Sequence, residues 1–190
     1  MINYGFGCEL GPLDRVYMNR IRHWRNDERV WKWCRQFTVL NEHEHERWFD
    51  AQAMDRSIKM YAVHRANPAS SGDTMCGVTG LTSIDPVNRR AEFSLYIAPD
   101  TQKKGLGRSA LATLLTHGFQ DLGLNLIWGE TFEGNHAARM FSEMGFVKEG
   151  TRRQFYFRNG GFVGAHLFSI TGEEWRQHSS QVRARSQGRR

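Results

Sequence analysis

Apolar and polar residues follow two different periods in the first half of the 190-residue chain. Alternation with a period of two predicts strands, whereas apolar residues three to four positions apart predict helices with one buried face. In chain order, the pattern predicts a strand from Tyr4 to Leu10, a helix from Leu13 to Arg25, a helix from Asn41, and strands from Ile58 to His64, Met75 to Ile84 and Ala91 to Ile97.

The helix that begins at Asn41 has its own start signal. Glu44 stands three residues later and completes an asparagine version of the capping box, and Trp48 and Phe49 are expected to face the core. The run His43-Glu44-His45-Glu46 contains residue types that bind metals. Because helical residues two apart point to different sides, we interpret this run as a solvated face and predict no metal site.

The second half alternates strands with helices and ends in a hairpin. The predicted elements are helices from Arg108 to Gln120 and Asn135 to Met144, and strands from Leu124 to Thr131, Phe146 to Phe157 and Phe162 to Ile170. The dipeptide Asn159-Gly160, followed by Gly161, is typical of a tight turn between the last two strands. A run of strands followed by this alternation predicts an α/β fold with a mixed sheet and helices on both faces.

Composition indicates one ordinary globular domain. Apolar residues make up 39% of the chain and charged residues 24%, and no apolar run approaches the roughly 18 to 20 residues of a membrane span. Three cysteines without metal-ligand spacing indicate reduced thiols in a cytoplasmic protein.

The net charge of +6 is concentrated near the C-terminus. Residues 177–190 are rich in Gln, Ser and Arg, which predicts a flexible tail after a domain spanning 1–176. The alternative is an electrostatic contact between this tail and a polyanion such as nucleic acid.

The strongest chemical signal is a glycine-containing turn before the helix from Arg108. Its sequence is Gln102-Lys103-Lys104-Gly105-Leu106-Gly107-Arg108. Glycines at this spacing let successive backbone N–H groups converge at a helix N-terminus, where an anion is stabilised. A Walker loop is excluded because no Gly-Lys-Ser/Thr follows, and a Rossmann fingerprint is disfavoured because its third glycine is missing.

Two motifs in this order resemble the GNAT superfamily of N-acetyltransferases. Gln102-x-x-Gly105-x-Gly107 is similar to the family's acetyl-CoA motif, and Asn135 begins a segment that ends in Gly145-Phe146, as in a second family element. The region Ile21 to Asn26 resembles the subgroup that contains ribosomal-protein N-acetyltransferases.

The resemblance implies a central, mostly antiparallel sheet that splays between its fourth and fifth strands and binds acetyl-CoA there. The cofactor-binding residues that it implies are Leu95, Tyr96, Ile97, Gln102, Lys103, Lys104, Gly105, Leu106, Gly107, Arg108 and Asn135. The pantetheine arm would bond to exposed strand backbone, and Asn135 would contact the same arm.

Catalysis requires removal of a proton from the acceptor amine. Glu130 is expected to be the base because several relatives keep theirs there, and Glu92 is the second candidate. The usual tyrosine that protonates the CoA thiolate is replaced by Ser142, so that Ser142 and Tyr156 are the remaining hydroxyl candidates.

The acceptor is less well defined than the donor. The segments 129–135 and 146–150 resemble amino-sugar N-acetyltransferases of the pseudaminic acid pathway, which favours a nucleotide-linked amino sugar. A protein N-terminus is the alternative acceptor. A different kind of function, a non-catalytic acyl-CoA-binding module, is a further alternative. The chain is expected to be a monomer or a homodimer.

Overall fold

A computed structural model describes residues 1–66, 73–102 and 105–187, with side chains described to residue 184. Its strands are β1 (Cys8–Pro12), β2 (Lys59–Arg65), β3 (Met75–Asp85), β4 (Arg90–Ile97), β5 (Leu126–Phe132), β6 (Val147–Arg158) and β7 (Gly161–Thr171). The α-helices are α1 (Met18–Asn26), α2 (Glu28–Trp31), α3 (Glu42–Met54), α4 (Leu106–Gln120), α5 (Ala137–Glu143) and α6 (Gly172–Gln187).

The seven strands form one mixed sheet in the order β1-β2-β3-β4-β5-β7-β6. Neighbouring strands are antiparallel except β4 and β5, which are parallel and pair only from Arg90–Leu126 to Glu92–Trp128. Beyond these three residue pairs the described parts of the two strands separate. The predicted mixed sheet, with its splay between the fourth and fifth strands, is confirmed.

Each face of the sheet has its own apolar core. On one face, α4, α5 and α6 cover a large cluster that includes Phe93, Leu111 and Phe141. On the other face, a smaller cluster around Ile21 and Val78 packs beneath α1 and α3. Helices therefore cover both faces, as the pattern predicts.

The N-terminal elements differ from the prediction in their bounds. The first strand begins only at Cys8, because Gly5 and Gly7 have φ angles of 77° and 96° that interrupt extended backbone. The helix predicted from Leu13 to Arg25 is a short 3-10 turn, Arg15–Tyr17, followed by α1, which ends at Asn26. The short helix α2 was not predicted, and the side chain of Asp27 caps it by accepting a hydrogen bond from the backbone of Arg29.

The capping box of α3 is confirmed. The Asn41 side chain accepts from the backbone N–H of Glu44 at 2.9 Å, and the Glu44 carboxylate accepts from the backbone of Asn41 at 3.1 Å. The prediction for Trp48 is wrong, because its ring is 38% exposed and stacks on His45 at 5.3 Å instead of entering the core. Among the residues that the structure describes, no His, Cys, Asp and Glu side chains cluster in a way that could hold a metal.

In the second half, the helices and strands from α4 to β7 begin and end within two residues of their predicted bounds. In the hairpin between β6 and β7, Asn159 and Gly160 both have positive φ, 48° and 78°, as a type I′ turn requires. The stretch 68–73, whose Pro, Ser and Gly content predicts a loop between β2 and β3, lies outside the described residues except at Asp73.

The C-terminal segment, for which composition predicts a flexible tail from residue 177, is helical in the described residues. The helix α6 extends from Gly172 to Gln187. Val182 is almost fully buried, and the guanidinium of Arg183 lies 5.1 Å from the ring centre of Phe6. One apolar residue and one cation–π contact anchor a segment that looks disordered by composition. In the described part of the chain, no helix is both long and apolar enough to cross a membrane.

Candidate functional site

The glycine-containing turn begins α4, as the sequence predicts. Gly105 is the residue before the helix and has a left-handed φ of 76°, which an L side chain adopts only with strain. A Cβ atom at Gly105 would meet no described atom within 4 Å, so open space adjoins the backbone here. The backbone N–H groups of Leu106, Gly107 and Arg108 occupy the first turn, where an anion finds unpaired donors. Lys103 and Lys104 lie outside the described residues.

Gln102 connects this turn to the end of β4. Its Nε2 donates to the backbone carbonyl of Ile97 at 3.3 Å. A Cβ on Gly107 would approach the side chains of Ile97 and Leu95 at 3.7 and 4.0 Å. The turn is therefore fixed directly beside the splayed end of β4, where the predicted cofactor residues on strand and turn come together.

Arg108 carries a donor that suits a phosphate. Its Nη2 pairs with the carboxylate of Glu143 on α5, whereas its Nη1 is buried without a hydrogen-bond partner among the described residues. A buried N–H without a partner is destabilising, and an anion at the turn would satisfy it. The residues that are present therefore fit a phosphate-bearing cofactor such as acetyl-CoA.

The cleft beside β4 offers unpaired backbone. Leu95, Tyr96 and Ile97 pair with β3 on one side, but on the other side the described pairing to β5 ends at Glu92. The backbone groups that face β5 can therefore accept an extended ligand in the manner of an added strand. Asn135 lies two residues before α5, where its Oδ1 accepts from the backbone N–H of Ala137 at 2.9 Å.

Two buried carboxylates meet where β4 and β5 separate. Glu92 pairs in register with Trp128, and Glu130 is two residues further along β5, so the side chains of Glu92 and Glu130 lie on the same face of the sheet. Arg35, in the loop after α2, joins them. Its guanidinium lies 2.6 Å from Glu92 Oε1 and 3.7 Å from Glu130 Oε1.

Glu130 is held by donors at both oxygens. Arg152 Nη1 donates to Oε2 at 2.9 Å, and the hydroxyl of Tyr156 donates to Oε1. The pKa of Tyr156 is raised by burial and by this bond to a carboxylate, so its hydroxyl keeps the proton at neutral pH. The structure thus brings together Glu130 and Tyr156, two of the four predicted catalytic residues.

Glu92 has a different environment. Burial raises its pKa, and the neighbouring Arg35 opposes that rise without cancelling it. Arg35 contacts Oε1 of this carboxylate at 2.6 Å. A buried carboxylate whose pKa is raised toward neutrality is a stronger base than an ordinary glutamate.

Ser142 lies away from this pair. It is exposed on α5, and its hydroxyl donates to the carbonyl of Ala138 one turn earlier at 3.3 Å. The helix packs on the Phe93 face of the sheet, whereas Glu92 points to the opposite face. The structure does not bring Ser142 together with the other three catalytic candidates.

Sequence reasoning missed the cations of the site. Arg35 follows a short helix in an irregular segment, and Arg152 lies on a strand whose register shifts between Arg152 and Tyr156. No spacing rule marks either residue. The signal that could have found them is physical, because two glutamates on buried strand positions require positive partners.

Comparisons with known proteins agree with this geometry. The family model of the acetyltransferase (GNAT) domain matches residues 9–147. YdaF of Bacillus subtilis, provisionally named as a ribosomal N-acetyltransferase, is 33% identical over 103 residues, which are 54% of this chain and 56% of YdaF. The chain thus spans about half the length of this relative. A spermidine N(1)-acetyltransferase of Vibrio cholerae is 26% identical over 80% of this chain and 86% of its own length.

The fold is also that of a solved structure. Spermidine N-acetyltransferase from Vibrio cholerae, crystallised with CoA and spermine, superposes with a TM-score of 0.82 at 24% identity, covering 89% of this chain and 98% of that one. The family match covers well over half of the chain, and the splayed sheet and the glycine-containing turn accompany it. The chain therefore belongs to the GNAT acetyltransferase family.

Proposed function

We propose that this protein is an acetyl-CoA-dependent N-acetyltransferase that moves the acetyl group directly to a primary amine. One observation carries the proposal. The cleft between β4 and β5 has the anion-binding turn of Gly105 at its end and the carboxylates Glu92 and Glu130 at the point where it opens. Such a cleft can hold an acyl donor and an amine next to each other in the geometry that acyl transfer requires.

Acetyl-CoA supplies a thioester, whose carbonyl oxygen gains negative charge when an amine attacks. A backbone N–H on the unpaired side of β4 near Ile97 can stabilise that charge, which is worth about 3 to 4 kcal/mol in acyl transfer. The phosphates bind to the turn that begins at Gly105, with the unpartnered Nη1 of Arg108 as a further donor.

The amine must be neutral to attack. A lysine-like amine with a pKa of about 10.4 requires roughly 4 to 5 kcal/mol for deprotonation at pH 7, and an α-amine near 8 requires about 1 kcal/mol. We assign the base to Glu92, directly or through water, because its pKa is raised by burial. Glu130 then positions Arg35 and Tyr156, since donors already engage both of its oxygens.

The acceptor that we propose first is a small amine such as a nucleotide-linked amino sugar, with a protein N-terminus as the alternative. One relative is provisionally named as a ribosomal N-acetyltransferase, and another is named as a spermidine N(1)-acetyltransferase. A polyamine is disfavoured here, because Arg35 and Arg152 neutralise the two carboxylates that would attract a polycation.

The experiment measures CoA release and product mass with acetyl-CoA and three acceptor classes: amino sugars, N-terminal peptides and spermidine. Acetylation of an amino sugar in preference to the others supports the first acceptor, and acetylation of a peptide α-amine supports the second. Tight acetyl-CoA binding without turnover on any amine would instead favour a non-catalytic acyl-CoA-binding module.

A further inference from the structure

A second group of polar side chains surrounds Cys34, next to the carboxylate pair. Arg25 Nη1 lies 2.9 Å from the Cys34 thiol, and Arg158, at the end of β6, donates to the backbone carbonyls of Cys34 and Arg35. The Arg158 guanidinium is held between two rings, at 4.0 Å from the centre of Phe37 and 4.9 Å from that of Phe132. Its position is therefore fixed before any ligand binds.

Two donors in this group have no hydrogen-bond partner among the described residues. They are Arg158 Nη1 and the hydroxyl of Tyr96, and both atoms are buried. Tyr96 lies on the same strand face as Glu92, four residues further along β4, and the Arg25 guanidinium lies 5.6 Å from its ring centre. Burial raises the pKa of Tyr96, so the hydroxyl remains a donor at physiological pH.

The charges of the region leave a positive surplus. Arg35 and Arg152 pair with Glu92 and Glu130, whereas Arg25 and Arg158 contact the thiol and backbone carbonyls of the Cys34 segment. Four guanidiniums thus face two carboxylates. Buried donors without partners, surrounded by uncompensated positive charge, are satisfied by an oxyanion, which accepts several charge-assisted hydrogen bonds at once.

We propose that Arg158, Arg25 and the Tyr96 hydroxyl form a subsite for an oxyanion, phosphate or carboxylate, carried by the acceptor. The inference rests on the proposed N-acetyl transfer and names the acceptor class: a primary amine with a negatively charged group some distance from it. The subsite adjoins the carboxylates, because Phe132 contacts both Arg158 and the ring of Tyr156, which binds Glu130. Arg158 is a specificity residue in this account.

Matched acceptors at saturating acetyl-CoA test the subsite, since the saturated donor site cannot then bind the probe. UDP-glucosamine is compared with glucosamine, and a peptide beginning Ser-Glu-Glu with one beginning Ser-Gln-Gln. We expect a lower KM for the anionic member of one pair. A preference within the sugar pair assigns the subsite to phosphate, and a preference within the peptide pair assigns it to carboxylate.

Three variants separate binding from structure. Arg158→Gln should raise the KM of the preferred anionic acceptor about tenfold or more, with less than a twofold change for its neutral partner, since a hydrogen bond to a charged group is lost. Tyr96→Phe should raise the same KM several-fold while the melting temperature stays equal or rises, because a buried hydroxyl without a partner is removed. Arg153→Gln removes an equal charge from an exposed position on the same strand and should change neither KM.

The outcomes that overturn the subsite differ from those that overturn the proposed function. Equal KM values within both pairs, or equal losses for anionic and neutral acceptors in Arg158→Gln, overturn the subsite while leaving acetyl transfer intact. If no amine is acetylated, the proposed function fails. Calorimetry with UDP and with the Ser-Glu-Glu peptide on the CoA-saturated protein then tests the subsite separately: binding of either probe that Arg158→Gln abolishes supports it, and binding of neither overturns it.

Discussion

Arg35 Nη2 lies 2.6 Å from Oε1 of Glu92, and this contact brings the loop after α2 to the point where β4 and β5 separate. The same guanidinium approaches Glu130 at 3.7 Å. The loop, the two strands and, through Arg152, the last hairpin thus meet at one buried pair of carboxylates. Elements far apart in the sequence therefore meet at the point where the cleft opens.

The first prediction concerns the base. Glu92→Gln keeps the shape of the side chain and removes its proton acceptor, so turnover near neutral pH should fall by roughly 10² or more. Acetyl-CoA affinity should stay near the wild-type value. The loss should shrink as the pH approaches the pKa of the acceptor, because free amine then becomes abundant. A pH–rate profile of the wild type and the variant measures this.

Glu130→Gln is the matched control for this assignment. It should lower the rate through the position of Arg35 and Tyr156 and leave the shape of the pH–rate profile unchanged. A larger pH-dependent loss of turnover in Glu130→Gln than in Glu92→Gln would identify Glu130, on β5, as the base. Unchanged profiles in both variants would show that the amine binds already neutral.

The second prediction concerns the phosphate turn. Gly105→Val places a β-branched side chain in the open space beside backbone with φ of 76°, so acetyl-CoA affinity should fall tenfold or more by calorimetry. Gly160→Val is the control, since Gly160 has φ of 78° and equally open surroundings but lies in the β6–β7 turn. It should show similar backbone strain and unchanged affinity. Equal affinities in the two variants would contradict the location of the cofactor site.

The third prediction links stability to pH through Glu92. Its pKa is raised in the folded state, so the folded protein holds this proton more tightly than the unfolded chain does. Ionising the buried Glu92 lowers the free energy of unfolding. This loss of stability is absent below the unfolded pKa of about 4.3 and grows as pH rises through the folded pKa. The melting temperature of Glu92→Gln relative to wild type should therefore be higher at pH 7 than at pH 4. A difference independent of pH would argue against a raised pKa.

The fourth prediction concerns α6. Truncation after Arg176 removes the buried Val182, and the free energy of unfolding should fall by about 1.5 to 3 kcal/mol in urea titrations. Truncation after Gln187 leaves the described helix intact and should change nothing measurable. If truncation after Arg176 also leaves the free energy of unfolding unchanged, Val182 does not anchor the helix.

Much of the fold could be predicted from local patterns. The capping box at Asn41 and the turn at Asn159-Gly160 are short-range signals, and both are confirmed. The helix α2 was not predicted, because it is only four residues long and is marked by a single cap, the Asp27 side chain. The helix at the C-terminus was missed because one buried residue, Val182, decides it and composition averages over that residue.

The site could be predicted only in part. The glycine turn is local, and motif spacing located it beside the end of β4. The carboxylates Glu92 and Glu130 were named from the sequence, but their environments depend on Arg35, Arg152 and Tyr156, which other elements contribute. Burial raises the pKa of Glu92 against the effect of Arg35, and no sequence period encodes which residues bury or pair with it.

The most direct test of acetyl transfer is the mass of the acceptor after incubation with acetyl-CoA, measured with CoA release in the same reaction. We expect stoichiometric CoA release and an acceptor heavier by one acetyl group in place of one amine hydrogen, with both signals reduced together in Glu92→Gln. Acetyl-CoA binding without either signal for amino sugars, N-terminal peptides and spermidine would contradict this expectation.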